Sequence, residues 1–430
     1  IRVLLLGHPD PRAPYGVKGV GEISMVPVAP AVANAVAHAV GIRVRELPIT
    51  PDKVLGALRA REGRRHRYHV WRRPGRWWIG SMRWAYPRGV HALLDRWGTR
   101  AASALPPARI ASLHRPTVVA EAVEALGRDR EAVAVGGGTD LLPLIEQGLC
   151  RPRKLVDLGG VATLAEIRET DAGDLLVGAG VTLADLARWP GVDPLIRWVI
   201  ASIASPQIRE MATVGGNLCQ AKRCWFYRNG FPCYKRSGAT APCYAVLGDN
   251  RYYHAVLGAH RCQAVTPSDL ATALVALDAT VQITGRAGER VLPVARLYTG
   301  PGETALRPGE IVIAVNIPAA ARARVSGFEK LRLWEGDFAV VSACASLDVA
   351  ADGTVRDARV VLGAIAPTPY RATAVEQRLR GRRLSPETIA VAAEAWVGAA
   401  HPLAGNEWKV DAACGLLRRC LDACRASHGA

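Results

Sequence analysis

Val135-Gly136-Gly137-Gly138-Thr139-Asp140-Leu141-Leu142 is the stretch on which the fold turns. It follows Ala132-Val133-Ala134-Val135, which reads as a short buried strand, and it precedes a helical pattern. Glycines at such a strand end let backbone N–H groups approach a phosphate closely, because no Cβ stands in the way. The spacing is neither that of a dinucleotide G-x-G-x-x-G unit nor that of a P-loop, since no Gly-Lys-Ser/Thr follows. Taken alone, the stretch is weak evidence, and a structural turn accounts for it more readily than a ligand site. A second turn, Ala212-Thr213-Val214-Gly215-Gly216-Asn217-Leu218, comes about 75 residues later, introduced by Ser205-Pro206-Gln207-Ile208-Arg209. Two glycine turns, each with Thr beside it, are suited to grip the two phosphates of one dinucleotide.

Around these turns helical and strand patterns alternate, which predicts an α+β chain. Thr117 through Leu126 reads as a capped helix. Further strands are predicted at Leu155-Val156-Asp157-Leu158, at Leu175 to Gly180 and at Ala279 to Ile283. These belong to a segment of about 109–318. A following segment, about 326–427, has strands at Ala339 to Val349 and Val355 to Leu362, then helices from Ser385-Pro386-Glu387 onward. Residues 1–58 show a helical face (Val32, Val36, Ala39, Val40), a strand-like Ile42 to Leu47, and Thr50-Pro51 as a helix start. The first methionine is Met25, which predicts that residue 1 is not a natural start. No signal peptide is evident.

Between 59 and 108 lies a connector rich in Arg and Trp. Twelve Arg stand between Arg59 and Arg100 against only Glu62 and Asp95, so this stretch holds about +10 of the formal +17. Five of the eleven Trp fall there (Trp71, Trp77, Trp78, Trp84, Trp97). The mixture suits docking onto a protein, although a solvated linker, a nucleic-acid groove or an interfacial anchor would share it. No run reaches the ~18 apolar residues that a membrane span needs.

Ten Cys occur, five of them between Cys219 and Cys262. Without targeting evidence a cytoplasmic, reducing compartment is expected, where clustered thiols point to metal rather than disulfides. The intervals 224–233–243–262 offer four thiolates on loops, as a [4Fe–4S] cluster requires. Zinc sites favour C-x₂₋₄-C pairs, which are absent here; zinc and unligated thiols nevertheless stay open. Cys414, Cys420 and Cys424, with Cys150 and Cys344, read as packing residues.

The paired turns, Val177-Gly178-Ala179-Gly180-Val181-Thr182, Pro267-Ser268-Asp269-Leu270-Ala271, Phe328-Glu329-Lys330 and Asp337-Phe338-Ala339 fall in the order of the FAD-binding part of molybdenum hydroxylases. The chain resembles that family over residues about 109–425. The resemblance implies a two-subdomain FAD-binding fold of the vanillyl-alcohol-oxidase-like (PCMH) kind, followed by an α+β carbon monoxide dehydrogenase flavoprotein C-terminal domain. It implies FAD contacts from Gly136, Gly137, Gly138, Thr139, Asp140, Leu141, Ile203, Thr213, Val214, Gly215, Gly216, Asn217, Asp269, Val312 and Lys330. Ile203 and Val312 could equally be core residues.

About 45 residues separate the second turn from Pro267-Ser268-Asp269, where most of the family runs almost directly between them. The insertion (219–262) resembles that of the beta subunit of 4-hydroxybenzoyl-CoA reductase, and a periplasmic kind of aldehyde oxidoreductase has a related one. The first resemblance implies a [4Fe–4S] cluster on Cys224, Cys233, Cys243 and Cys262, with Cys219 not a ligand. Tyr15-Gly16-Val17-Lys18-Gly19-Val20-Gly21-Glu22 resembles the end of the family's molybdopterin-binding subunit, in which Glu22 would be the base beside the metal.

The implied activity is that of an electron-transferring oxidoreductase component, FAD- and [4Fe–4S]-binding, for an aromatic acyl-CoA, an aldehyde or an N-heterocycle. Molybdopterin and [2Fe–2S] centres would sit on partner subunits or a missing domain, with ferredoxin or NAD as external electron partner and no role for nucleic acid or membrane. Two other readings compete: a stand-alone flavin oxidase, and a metal-stapled nucleic-acid-binding protein.

Overall fold

The computed structural model describes residue 11 and residues 26–63, 110–238, 241–246 and 248–428. Glu22 and nearly all of the Arg/Trp connector lie outside these residues. The chain divides into two units, Ile1–Arg67 and Tyr68–Ala430. In the first, helix Val28–Val40 ends at Gly41 in the left-handed conformation, φ 68°. The strand expected at Ile42 to Leu47 does not form. Among the described residues of this unit there is no second strand, and a lone strand has nothing to satisfy its edges. Pro51 opens helix Pro51–Arg61 as expected, but Thr50 makes no capping bond with its side chain.

In the second unit the chain begins with a small parallel sheet. Strand Lys154–Asp157 lies between Ser112–His114 and Ala132–Val135, parallel to both. The crossover between the outer strands is helix Val119–Arg128, whose Ala122, Val123, Ala125 and Leu126 are buried. Its start differs from the expected Thr117 cap. The Thr117 N–H instead donates to Glu121 Oε2 at 3.1 Å, so the acid of the first turn closes the helix end.

The second sheet is antiparallel throughout, in the order Ile167–Glu169, Leu175–Gly178, Ile311–Ile317, Thr280–Gly285, Gly288–Pro293. Helices Pro194–Ala201 and Asp269–Ala276 cover it, and their Leu195, Ile196, Leu270 and Leu274 join Val177, Val281 and Val315 in the largest core. A third antiparallel sheet runs Val325–Leu331, Val341–Val349, Val355–Gly363, Tyr370–Arg371. Helix Trp408–His428 packs on its first two strands. Cys420 and Cys424 of that helix are fully buried, as is Cys344 opposite them; Cys150 is half-buried against Val135, Ile145 and Leu155. The architecture is α+β, as the pattern of the sequence predicts.

Candidate FAD and cysteine sites

Strand Ala132–Val135 ends at its carboxyl end in the first glycine turn, where ligands of parallel sheets are commonly met. Gly138 takes φ +72°, a left-handed conformation that a side chain disfavours. The second turn is tied down on its other side. Gly215 N–H donates to Ala179 O at 2.8 Å and Val214 N–H to Val181 O at 2.9 Å. Thr213 caps Val214–Leu218, its hydroxyl accepting from Gly216 N–H at 3.1 Å.

The two turns cross in contact. A Cβ placed on Gly137 would lie 1.5 Å from Met211 O, and one on Gly136 would lie 2.7 Å from Thr213 Oγ1. Bare backbone is therefore required at the crossing. The N–H groups of Gly137, Gly138, Thr139 and Asp140 find no acceptor among the described residues. Beside the crossing opens a cleft of about 570 Å³, within the range of ordinary cofactor pockets.

Twelve of the fifteen residues expected to contact FAD line this cleft: Gly136, Gly137, Gly138, Thr139, Asp140, Leu141, Ile203, Thr213, Gly216, Asn217, Asp269 and Lys330. The other three stand behind it. Val214 is 1% exposed in the core, and Val312 is buried in the central strand Ile311–Ile317. A Cβ on Gly215 would lie 2.9 Å from that of Ala179, so this glycine serves the packing of the turn.

Lys330 and Asp269 form an ion pair in the cleft wall, 2.8 Å between Nζ and Oδ2. Lys330 also donates to Ser202 O at 2.9 Å. Ser268 donates to Asn217 Oδ1 at 2.7 Å, joining the second turn to the helix that carries Asp269.

The cleft holds residues to which sequence reasoning gave no role. Arg223 lies over the Phe338 ring, 4.2 Å from its centroid. Burial lowers its guanidinium to about 10, with Asp140 opposing. Tyr253 donates to Asp337 Oδ2 at 2.6 Å; burial first, then this bond, raises its phenol. Ala204 adopts φ +46° on the cleft wall, its carbonyl held by Arg209 Nη1 at 3.0 Å. Asp337-Phe338 belongs to a motif of the resemblance, and Arg223 directly precedes Cys224, so both were findable; an alanine in a left-handed conformation gives no signal.

Cys224, Cys233, Cys243 and Cys262 line one small cavity with Lys222, Lys235 and four aromatic rings. All four are free thiols. Burial raises Cys224 to about 12 and raises Cys262 as well; Cys262 and Cys243 both lie within electrostatic reach of Cys224. His254 Nε2 stands 3.2 Å from Cys224 Sγ. Lys222 places its ammonium 3.9 Å from the Tyr227 ring centroid, and Lys235 pairs with Glu303. Among the described residues, no three His, Cys, Asp or Glu side chains gather closely enough for a single metal ion. Cys219 opens instead into the cleft beside the glycine turns.

Comparison with known proteins decides the family. Residues 108–320 match the FAD binding domain in molybdopterin dehydrogenase, and residues 326–424 match the CO dehydrogenase flavoprotein C-terminal domain. The aldehyde oxidoreductase FAD-binding subunit of Escherichia coli is 36% identical over 310 residues, 69% of this chain and 92% of that subunit. The chain belongs to the FAD-binding subunits of the molybdenum hydroxylases. It is thus the FAD-binding component of an oxidoreductase complex. The carbon monoxide dehydrogenase medium chain of Hydrogenophaga pseudoflava is 27% identical, over 72% of this flavoprotein and 95% of that chain. Among solved structures, a Cu,Mo-CO dehydrogenase chain superposes with a TM-score of 0.61 at 27% identity, covering 75% of this chain and 99% of that one. A chain of quinoline 2-oxidoreductase from Pseudomonas putida 86 gives 0.59 at 26% identity, covering 74% and 98%. No described helix of the flavoprotein is long and apolar enough to cross a membrane.

Proposed function

We propose that this flavoprotein is an electron conduit carrying two redox groups, FAD in the cleft and a [4Fe–4S] cluster on Cys224, Cys233, Cys243 and Cys262. Bound FAD supplies two-electron and one-electron redox chemistry; the cluster supplies a one-electron relay. The observation that carries the second assignment is the meeting of the four cysteines in one cavity whose charged lining, Lys222 and Lys235, is wholly cationic. A tetrathiolate cluster is an anion, and buried ammonium groups at its edge offset its charge.

Each turn has a defined part in the FAD site. The first presents N–H groups to a phosphate across the crossing that Gly137 permits. The second holds Thr213 and Asn217 beside it. Asp269 and Lys330 are placed for the sugar-like chain and the flavin ring, as the resemblance implies. The fifteen residues named at the outset are proposed as FAD contacts, with Val214, Gly215 and Val312 acting from behind the wall.

On this reading the chain works with a molybdopterin-binding subunit and a [2Fe–2S] subunit, and passes electrons to or from an external partner, ferredoxin or NAD. Aldehydes are the favoured substrate class, because a relative at 36% identity is an aldehyde oxidoreductase subunit. Aromatic acyl-CoA and N-heterocycles are the other classes. Residues 1–58, with Glu22, are proposed as the tail of a molybdopterin-binding part, and 59–108 as its docking connector. A cytoplasmic location is proposed, because clustered thiols that serve a metal group rather than disulfides suit a reducing compartment.

The test is an anaerobic absorption spectrum with FAD and iron counted per chain. Flavin bands, a broad iron–sulfur shoulder and about four irons, the irons lost in Cys224→Ser/Cys243→Ser, are the expected result. Flavin without iron refutes the cluster. Protein that stays colourless when FAD is added refutes the cleft.

A further inference from the structure

The carboxylate of Asp140 stands in the FAD cleft and is held by one short segment of chain, part of it in the cleft wall and part behind it. Its Oδ2 accepts from Ala221 N–H at 2.7 Å. Its Oδ1 accepts from Arg228 Nη2 at 2.7 Å and lies 2.9 Å from Arg223 Nη2. All three donors come from the eight residues 221–228, which include Cys224. The three side chains are each less than a fifth exposed, at 15–18%. Arg228 also bonds Lys222 O through Nε at 3.1 Å, so the cluster of contacts braces its own segment as well as the turn.

The charges give these contacts a purpose. An acid in the turn that receives a diphosphate would repel that anion unless its charge were offset. Two guanidinium groups offset it here, in a part-buried setting where charge-assisted bonds are strong. Arg228 is not among the residues lining the cleft, so among the described contacts it reaches the cleft through Asp140. Tyr253, from the same insertion, reaches the cleft wall at Asp337.

We propose that Asp140 is a positioning residue that couples the two cofactor sites. The carboxylate that shapes the glycine turn is fixed by the segment bearing Cys224, so order in that segment raises the affinity for FAD. By reciprocity, bound FAD favours the ordered segment. The contacts exist without reference to any cluster; only the idea that the cluster is what orders the segment rests on the reading above.

The full chain is stripped of FAD and titrated with FAD by quenching of flavin fluorescence. Four versions are compared: unaltered, Arg228→Met, Asp140→Asn and the double variant, with iron counted in each. Arg228→Met is expected to weaken FAD binding about tenfold in the unaltered background, a coupling of ordinary size. In the Asp140→Asn background the same change is expected to alter it less than about twofold, because the carboxylate charge that the Arg228 guanidinium pairs with is already gone and a single neutral acceptor remains. Equal weakening in both backgrounds marks a general loss of structure and overturns the proposal. So does an unchanged affinity in Arg228→Met alone. Chelation of iron from the unaltered chain is expected to weaken FAD binding to a similar degree. Unchanged affinity on losing about four irons overturns the coupling of the cofactors and leaves the cluster standing. An unaltered chain with no iron refutes the cluster, and the Arg228 comparison then still decides the role of Asp140.

Discussion

Replacing Lys330 by methionine tests whether the cleft wall is held by a buried ion pair. Lys330 sits on strand Val325–Leu331 and Asp269 in the first turn of helix Asp269–Ala276, so the pair staples the third sheet to the FAD-binding domain. The two side chains are 4% and 5% exposed and 2.8 Å apart. Taking away the cation leaves the Asp269 carboxylate in the wall without its counter-charge, and leaves Ser202 O without its donor. Orphaning one member of a buried pair costs about 3–5 kcal/mol, whereas replacing both by apolar groups of similar size is often close to neutral. Lys330→Met is therefore expected to lower the unfolding free energy of the FAD-free protein by about 3–5 kcal/mol in a urea titration. Lys330→Met/Asp269→Leu should recover most of the loss, ending within about 2 kcal/mol of the unaltered chain. A double variant as weak as the single would refute this reasoning, since the damage would then lie in lost packing rather than in an orphaned charge.

Gly137→Ala would set a methyl group 1.5 Å from Met211 O and 2.5 Å from its carbonyl carbon, so the two turns must part. Loss of flavin content and a stability loss of about 3 kcal/mol are expected, read by absorption and denaturation. Ala204→Gly should act the other way, relieving φ +46° and raising stability by about 0.5–1 kcal/mol in the same denaturation assay. Lys409 is fully buried and donates to Tyr252 O, His254 O and Ala364 O; burial lowers its ammonium to about 7. The unfolded chain binds this proton more tightly, so the Lys409 contribution to stability should rise as pH climbs from about 7 toward the ordinary lysine value and be flat below 7. Subtracting the pH–stability curve of Lys409→Met isolates that slope; a difference curve flat over the whole range would refute the shift, and a falling one would show its sign to be wrong.

The parts of this molecule that were legible in its sequence are those whose cause is local. Runs such as Ala132–Val135 and Val355–Gly363 form the predicted strands because their apolar residues meet a core close to home. Glycine turns announce themselves because only glycine tolerates the crossing at Gly137 and the φ of Gly138. The failures share a different cause. Ile42 to Leu47 has strand-like chemistry but no partner strand among the described residues, and pairing is not a property of one strand. Val312 stands open between cofactor and core in the sequence, and its burial in the central strand Ile311–Ile317 comes from strand pairing that its own position does not announce. Asp140 was named for its turn alone. Its bonds to Arg223 and Arg228 span 83 and 88 residues, and no pattern along the chain announces a contact at that range. What the fold adds is the convergence of separately readable pieces: a glycine turn suited to an anion, and a cysteine loop with Arg223 and Arg228 on either side of Cys224. A carboxylate in the first that is neutralised by the second makes one assembly of two motifs, and this is why the Arg228 and Asp140 substitutions must be made together to be read.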